Sequence, residues 1–141
     1  MAILDRRKDR FVEDQDKRVS VGIEFPFARV GGGDGYFQTT KTTVESIKNN
    51  IKLLLQTHQG ERVFQPDLGM NLKRLLFEPQ DDELLIQIEN NIVDVFSIWL
   101  PFVELNDIKV EEVDNQINLN IVFSLKRAPN SLESVQVTFK Q

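Results

Sequence analysis

The side chains best suited to chemistry in this chain fall in one stretch, Gly60 to Pro79, where the carboxylates Glu61, Asp67 and Glu78 are interleaved with Arg62 and Arg74. Two carboxyl groups facing across a cleft, one of them with a raised pKa, are what glycoside hydrolysis requires. Each of the three also reads more simply as a turn, cap or salt-bridge residue, and no paired motif with a cleft behind it accompanies them. His58 is the single histidine and there is no cysteine, so a Ser-His-Asp triad or a transition-metal site has little material. At the C-terminal end of a helical pattern His58 fits a surface or capping role. Gly31-Gly32-Gly33-Asp34-Gly35 superficially suggests a phosphate cradle. It lacks the Lys-Ser/Thr ending of a P-loop and the strand-to-helix placement of a dinucleotide fingerprint, and reads as a flexible loop. No cofactor and no metal are expected.

These carboxylates sit in a joint between two helices. Gly60 follows a helical pattern, where a left-handed C-terminal residue favours glycine, and Pro66-Asp67-Leu68-Gly69 has the composition of a turn. Leu72, Leu75 and Leu76 share one face of a short helix that Pro79 stops. Gly60, Arg62, Pro66, Gly69 and Glu78 are therefore assigned to a structural joint, with Arg62 expected to bind a carboxylate or helix-end carbonyls. Before the joint, Thr42-Thr43-Val44-Glu45 fits a capping box. Val44, Ile47, Ile51, Leu54 and Leu55 then follow the spacing of one buried helical stripe, with Lys48, Asn49 and Lys52 outside. After it, Asp81 or Asp82 can cap a longer helix with the stripe Leu84, Leu85, Ile88, Ile92, Val95, Phe96 and Trp99, ending near Leu100-Pro101.

The last third alternates as strands do. Val103 and Leu105 are out of phase with Ile108 and Val110, which places a bulge or bend at Asn106-Asp107. Ile117, Leu119, Ile121, Phe123 and Leu125 alternate without error, with Asn118, Asn120 and Ser124 on the other face. Asp114-Asn115 and Ala128-Pro129-Asn130-Ser131 supply turns, before Val135, Val137 and Phe139 with Gln136 and Thr138 facing solvent. Val19, Val21, Ile23, Phe25 and Phe27 also alternate, but Pro26 and Gly22 demote that stretch to an edge strand or extended arm, after which Tyr36 and Phe37 are expected to re-anchor the chain on the core. The resulting expectation is an α+β fold: two long amphipathic helices joined by a short helix, packed on a three-stranded antiparallel meander, with an extended N-terminal arm. Residues 1–18, with six basic and five acidic side chains, read as a charged mobile arm and 19–141 as one domain.

Composition excludes several classes. The 141 residues are 40% apolar and 28% charged, ordinary for a globular domain. A formal charge of −5 argues against a general nucleic-acid surface. The absence of cysteine is in keeping with a reducing cytosol, and no apolar run approaches the roughly 20 residues of a membrane span.

The run Gly60-x-Arg62-x-Phe64-x-Pro66-x-x-Gly69, followed by leucines and Leu76-Phe77-Glu78, resembles the signature segment of the baseplate wedge and sheath-initiator proteins of contractile-tailed phages, which have relatives in type VI secretion baseplates. The similarity runs from about residue 19 to the C-terminus. It implies a structural protein of the virion tail baseplate, assembled in the host cytoplasm, that joins the wedge to the sheath and initiates sheath assembly. Implied partners are other wedge proteins, tail sheath subunits and tail tube or hub proteins, with six copies per baseplate and neither nucleic acid nor membrane. The family usually carries a Glu-Pro-Arg triplet contacting the trimeric helical core of the wedge. Here the aligned residues are Leu100, Pro101 and Phe102; only the proline matches, which implies an apolar contact or a docking role moved elsewhere. The sheath contact is assigned to Val135, Gln136, Val137, Thr138 and Phe139, where a strand ending the chain leaves an edge for strand addition. Members have also been described as lysozyme-like, so the alternative is a glycoside hydrolase acting on peptidoglycan, with Glu61, Asp67 and Glu78 as its candidates.

Overall fold

The computed structural model describes residues 11–16, 18–32, 35–75, 82–113 and 116–140, and the chain divides into two compact units, 1–53 and 54–141. The first holds a 3₁₀ turn, Val12–Gln15, and four short strands: β1 (Gly22–Ile23), β2 (Arg29–Gly32), β3 (Gly35–Phe37) and β4 (Thr39–Thr40). Helix α1, Thr43–Gln56, begins in this unit and crosses the division. β1 pairs antiparallel with β4, and β2 with β3, the latter closing from Arg29↔Phe37 to Gly32↔Gly35. Of the glycine-rich run, Gly31 and Gly32 thus lie in β2 and Gly35 in β3. Gly35 has φ +116°, a region other residues rarely enter. Tyr36 and Phe37, expected to anchor on the core, are instead exposed. Phe37 lies 5.1 Å from the Tyr36 ring and 6.1 Å from Phe27, and the Arg29 guanidinium sits 4.3 Å above Tyr36.

Residues 11–16, within the segment read as a mobile arm, take part in starting α1. Asp14 is buried, and its Oδ1 accepts hydrogen bonds from the Thr43 amide at 2.7 Å and the Thr43 hydroxyl at 2.8 Å. First-turn amides have no partner inside a helix, and here a carboxylate from outside the helix satisfies one. The local capping residues act too: the Glu45 amide donates to Thr42 Oγ1 at 3.3 Å, while the Glu45 carboxylate accepts from the Lys41 amide, one residue before the position a capping box uses. Asp14→Ala is expected to cost about 1–2 kcal/mol of stability, the usual range for a lost cap. Urea denaturation checks this, and a midpoint equal to the parent's would remove Asp14 from the cap. Asn49, expected outside the stripe, is buried and donates to the Ile23 carbonyl at 3.4 Å; β1 supplies a polar partner that helical periodicity does not register.

The second unit contains α2 (Leu72–Leu75), α3 (Asp82–Trp99), β5 (Val103–Val113), β6 (Gln116–Leu125) and β7 (Ala128–Lys140). β5, β6 and β7 form an antiparallel sheet in that order. The bulge stands where the broken alternation puts it, between Leu105 and Asp107. The next turn does not: it is Lys126-Arg127, with Ala128 already paired to Leu125. Pro129, Asn130 and Ser131 are inserted before the following pair, Ser124↔Leu132. Proline lacks the ladder donor and is accommodated at such an irregularity. At this end of the hairpin Ser124, expected to face solvent, is 1% exposed, while Leu132 is exposed. Turn residues Asp114-Asn115 lie outside the described residues.

The expected fold is therefore corrected. Among the described residues strands predominate, seven in three antiparallel sheets; only α1 and α3 are long, and α2 is one turn. Of the stretch expected as an edge strand or extended arm, Gly22–Ile23 is a strand paired with β4. Within 54–141 helix α3 packs alongside β5, and two long helices packed together on the three-stranded sheet are not observed among the described residues. An apolar stripe reports which face of a helix is buried and is silent on what it is buried against.

Candidate functional site

The joint is braced by its own backbone. After α1, the Thr57 carbonyl accepts from the Met70 amide at 2.8 Å, and the Gly60 amide donates to the Pro66 carbonyl at 2.7 Å, closing a loop over residues 60–66. Inside it the Gln65 amide donates to the Arg62 carbonyl at 3.2 Å; beyond it the Leu68 amide donates to the Gln65 carbonyl at 3.1 Å. The Glu61 carboxylate accepts from the His58 amide at 3.0 Å. Gly60 and Gly69 have φ +86° and +108°. At Gly60 the added Cβ meets open space, whereas at the buried Gly69 it collides with the Thr57 carbonyl oxygen.

With donors and acceptors of this loop bonded to one another, its side chains point outward. Arg62, Pro66 and Asp67 are exposed, and Arg62 makes no ion pair among the described residues. Glu78 lies outside the described residues. Val63 and Phe64 are 88% and 94% exposed; the sequence reading placed Phe64 in the family signature without assigning it a contact, and gave Val63 no role. Beyond the place of Phe64 in that signature, the signal for their exposure was two adjacent large apolar residues in a stretch of turn formers, with no helical or strand period to bury them. Beside the joint, Gly69, Met70, Leu72, Asp94, Val95 and Ile98 border a groove of about 410 Å³ that Glu61 and Asp67 do not line.

At the far end of α3 the Leu100 amide donates to the Phe96 carbonyl and the Val103 amide to the Leu100 carbonyl, both at 2.9 Å. This tight corner buries Leu100 and turns Pro101 and Phe102 outward. The Phe102 carbonyl accepts from the Lys126 amide at 3.1 Å, tying the corner to the β6–β7 turn.

β7 has 13 residues and is an edge: it pairs with β6, and no strand adjoins its other side among the described residues. Val135, Val137 and Phe139 are buried opposite Ile121, Leu119 and Ile117, while Gln136 and Thr138 are exposed. The Thr138 hydroxyl is 2.8 Å from Asn118 Oδ1 on the exposed face. The strand is thus held by one face and one side, and its remaining side pairs with no strand among the described residues.

Comparison with known proteins accords with this architecture. The chain is 27% identical over 96 residues to the baseplate wedge protein gp25 of Enterobacteria phage T4, covering 67% of this chain and 73% of that one. A crystal structure provisionally described as a tail lysozyme from Geobacter sulfurreducens matches with a TM-score of 0.63 at 24% identity, over 70% of this chain and 91% of that one. The sixfold-symmetrised baseplate of the anti-feeding prophage contains a chain matching at TM-score 0.57 and 22% identity, over 83% and 82% respectively. The postcontracted baseplate of pyocin R2 contains another, at 0.55 and 18%, over 71% and 98%. These structures, all below 25% identity, share the fold. Residues 41–130, more than half of the chain, match the family described as baseplate wedge protein gp25, and the chain belongs to that family.

Proposed function

We propose that this chain is a structural component of a contractile-tail baseplate that joins the wedge to the sheath and starts sheath assembly by β-strand addition at β7. The observation that carries this reading is the long edge strand, buried on one face through Val135, Val137 and Phe139 and paired on one side with β6. Strand addition copies register through main-chain hydrogen bonds, so a sheath subunit that adds a strand here and offers an equivalent edge propagates the same geometry to the next ring. Wedge proteins hold it at the outward-facing Pro101 and Phe102 of the corner, with Leu100 bracing the turn from inside. Six copies surround the tail, in the virion, after assembly in the host cytoplasm, near tube or hub proteins. Nucleic acid and membrane are not partners in this reading: the formal charge is −5, and no helix among the described residues is long and apolar enough to cross a membrane.

The role is structural, without catalysis. Glu61 and Asp67 stand on an exposed loop, Glu61 already engaged by the His58 amide, and neither borders the groove beside the joint. The tail lysozyme description belongs to the Geobacter protein and transfers no activity at this identity.

Proline substitutions test the edge, because successive N–H groups of a strand point to opposite sides. Of Gln136→Pro and Val137→Pro, one removes a donor facing β6 and is expected to weaken the monomer. The other removes a donor facing outward, and is expected to fold by circular dichroism, enter baseplates and abolish sheath polymerisation on them. If both fold and both support sheaths of normal length, strand addition at β7 is refuted.

A further inference from the structure

The geometry points to Phe64 as the anchor of a docking contact: with Val63 it enters an apolar pocket on a different baseplate protein, and Arg62 pairs with a carboxylate at the rim of that pocket. This deepens the proposed function and rests on it.

Three observations carry the assignment. Phe64 and Val63 are the most exposed of the large apolar side chains described, at 94% and 88%, although a phenylalanine left in water forfeits the burial that ordinarily holds it inside. The exposed aromatic residues of the β2–β3 hairpin lie against one another, whereas no described ring lies against Phe64. The loop that carries it is closed by the Gly60–Pro66 and Arg62–Gln65 backbone hydrogen bonds and footed by the Thr57–Met70 bond. Docking a braced loop orders little more than the side chains themselves, which preserves affinity. An aromatic beside an arginine is the composition that dominates protein–protein hot spots.

Charge selects the partner. Arg62 is exposed and unpaired by the carboxylates described, and its planar guanidinium suits a bidentate carboxylate. A second copy of this chain is disfavoured, since each copy has a formal charge of −5 and the copies repel. A different protein, with an acidic rim around an apolar pocket, satisfies both the ring and the cation.

The test uses assembled baseplates. With p-benzoylphenylalanine in place of Phe64, irradiation of purified particles followed by mass spectrometry is expected to join position 64 to one site on another baseplate protein, apolar and flanked by aspartate or glutamate. Phe64→Ala and Arg62→Glu are each expected to lower the amount of chain retained in baseplates by about tenfold or more, with urea midpoints equal to the parent's. Crosslinks to a second copy, no crosslink in particles that contain the chain, or normal retention of Phe64→Ala overturns the docking assignment and leaves the baseplate role standing. Absence of the parent chain from purified baseplates overturns both.

Discussion

Phe123→Ala is expected to lower the unfolding free energy by about 3–5 kcal/mol, the range for truncating a buried phenylalanine. Phe123 has no exposed surface and lies in the central strand of the three-stranded sheet, flanked across the ladder by Leu105 on β5 and Glu133 on β7. Its neighbours two positions away, Ile121 and Leu125, are buried on the same face, so the vacated volume is lined by β-sheet side chains whose backbones are fixed on both sides and cannot collapse inward. A domain of this size is stable by only about 5–15 kcal/mol. The melting midpoint is expected to fall by about 10 °C or more. Phe102→Ala, at a site 45% exposed, serves as the comparison and is expected to change the midpoint much less. Equal melts for Phe123→Ala and the parent would invalidate the burial assigned to β6.

Gly69→Val is expected to prevent folding or to destabilise by about 3 kcal/mol or more, through two separable effects. The backbone at Gly69 has φ +108°, where a β-branched residue is strained by about 1–3 kcal/mol. The added Cβ also collides with the Thr57 carbonyl oxygen, itself the acceptor for the Met70 amide, so relief of the collision breaks the hydrogen bond at the foot of the joint. Gly60→Val isolates the first effect, because at φ +86° its Cβ meets open space. Chemical denaturation is expected to rank Gly69→Val as most damaging, Gly60→Val next, and Arg62→Ala near the parent, since the Arg62 side chain is exposed. If Gly69→Val and Arg62→Ala shift the midpoint equally and slightly, the segment is an ordinary loop with no constrained backbone.

What the sequence determined by itself was local and periodic. Of the two expected stripes, Ile47, Ile51, Leu54 and Leu55, and Leu84, Ile88, Ile92 and Phe96, are buried, while Val44, Leu85, Val95 and Trp99 at their margins are half-buried, because a helix of 3.6 residues per turn brings the central positions to one side whatever packs there. Alternation along β6 and the phase break in β5 are of the same kind, and the bulge at Asn106 follows from them. The joint's glycines are legible because a left-handed φ excludes other side chains, and the family motif is written in the same residues. Tertiary structure decided everything that depends on a partner distant in sequence. Pairing of Gly22 with Thr40, the burial of Asp14 against the first turn of α1 and that of Asn49 beneath the Ile23 carbonyl join residues 18 to 29 positions apart, and no local period encodes which donor meets which acceptor. Phe64 differs in that its loop closes locally, through the Gly60–Pro66 and Arg62–Gln65 hydrogen bonds: composition marks the residue as apolar, and the structure shows that it stands in solvent.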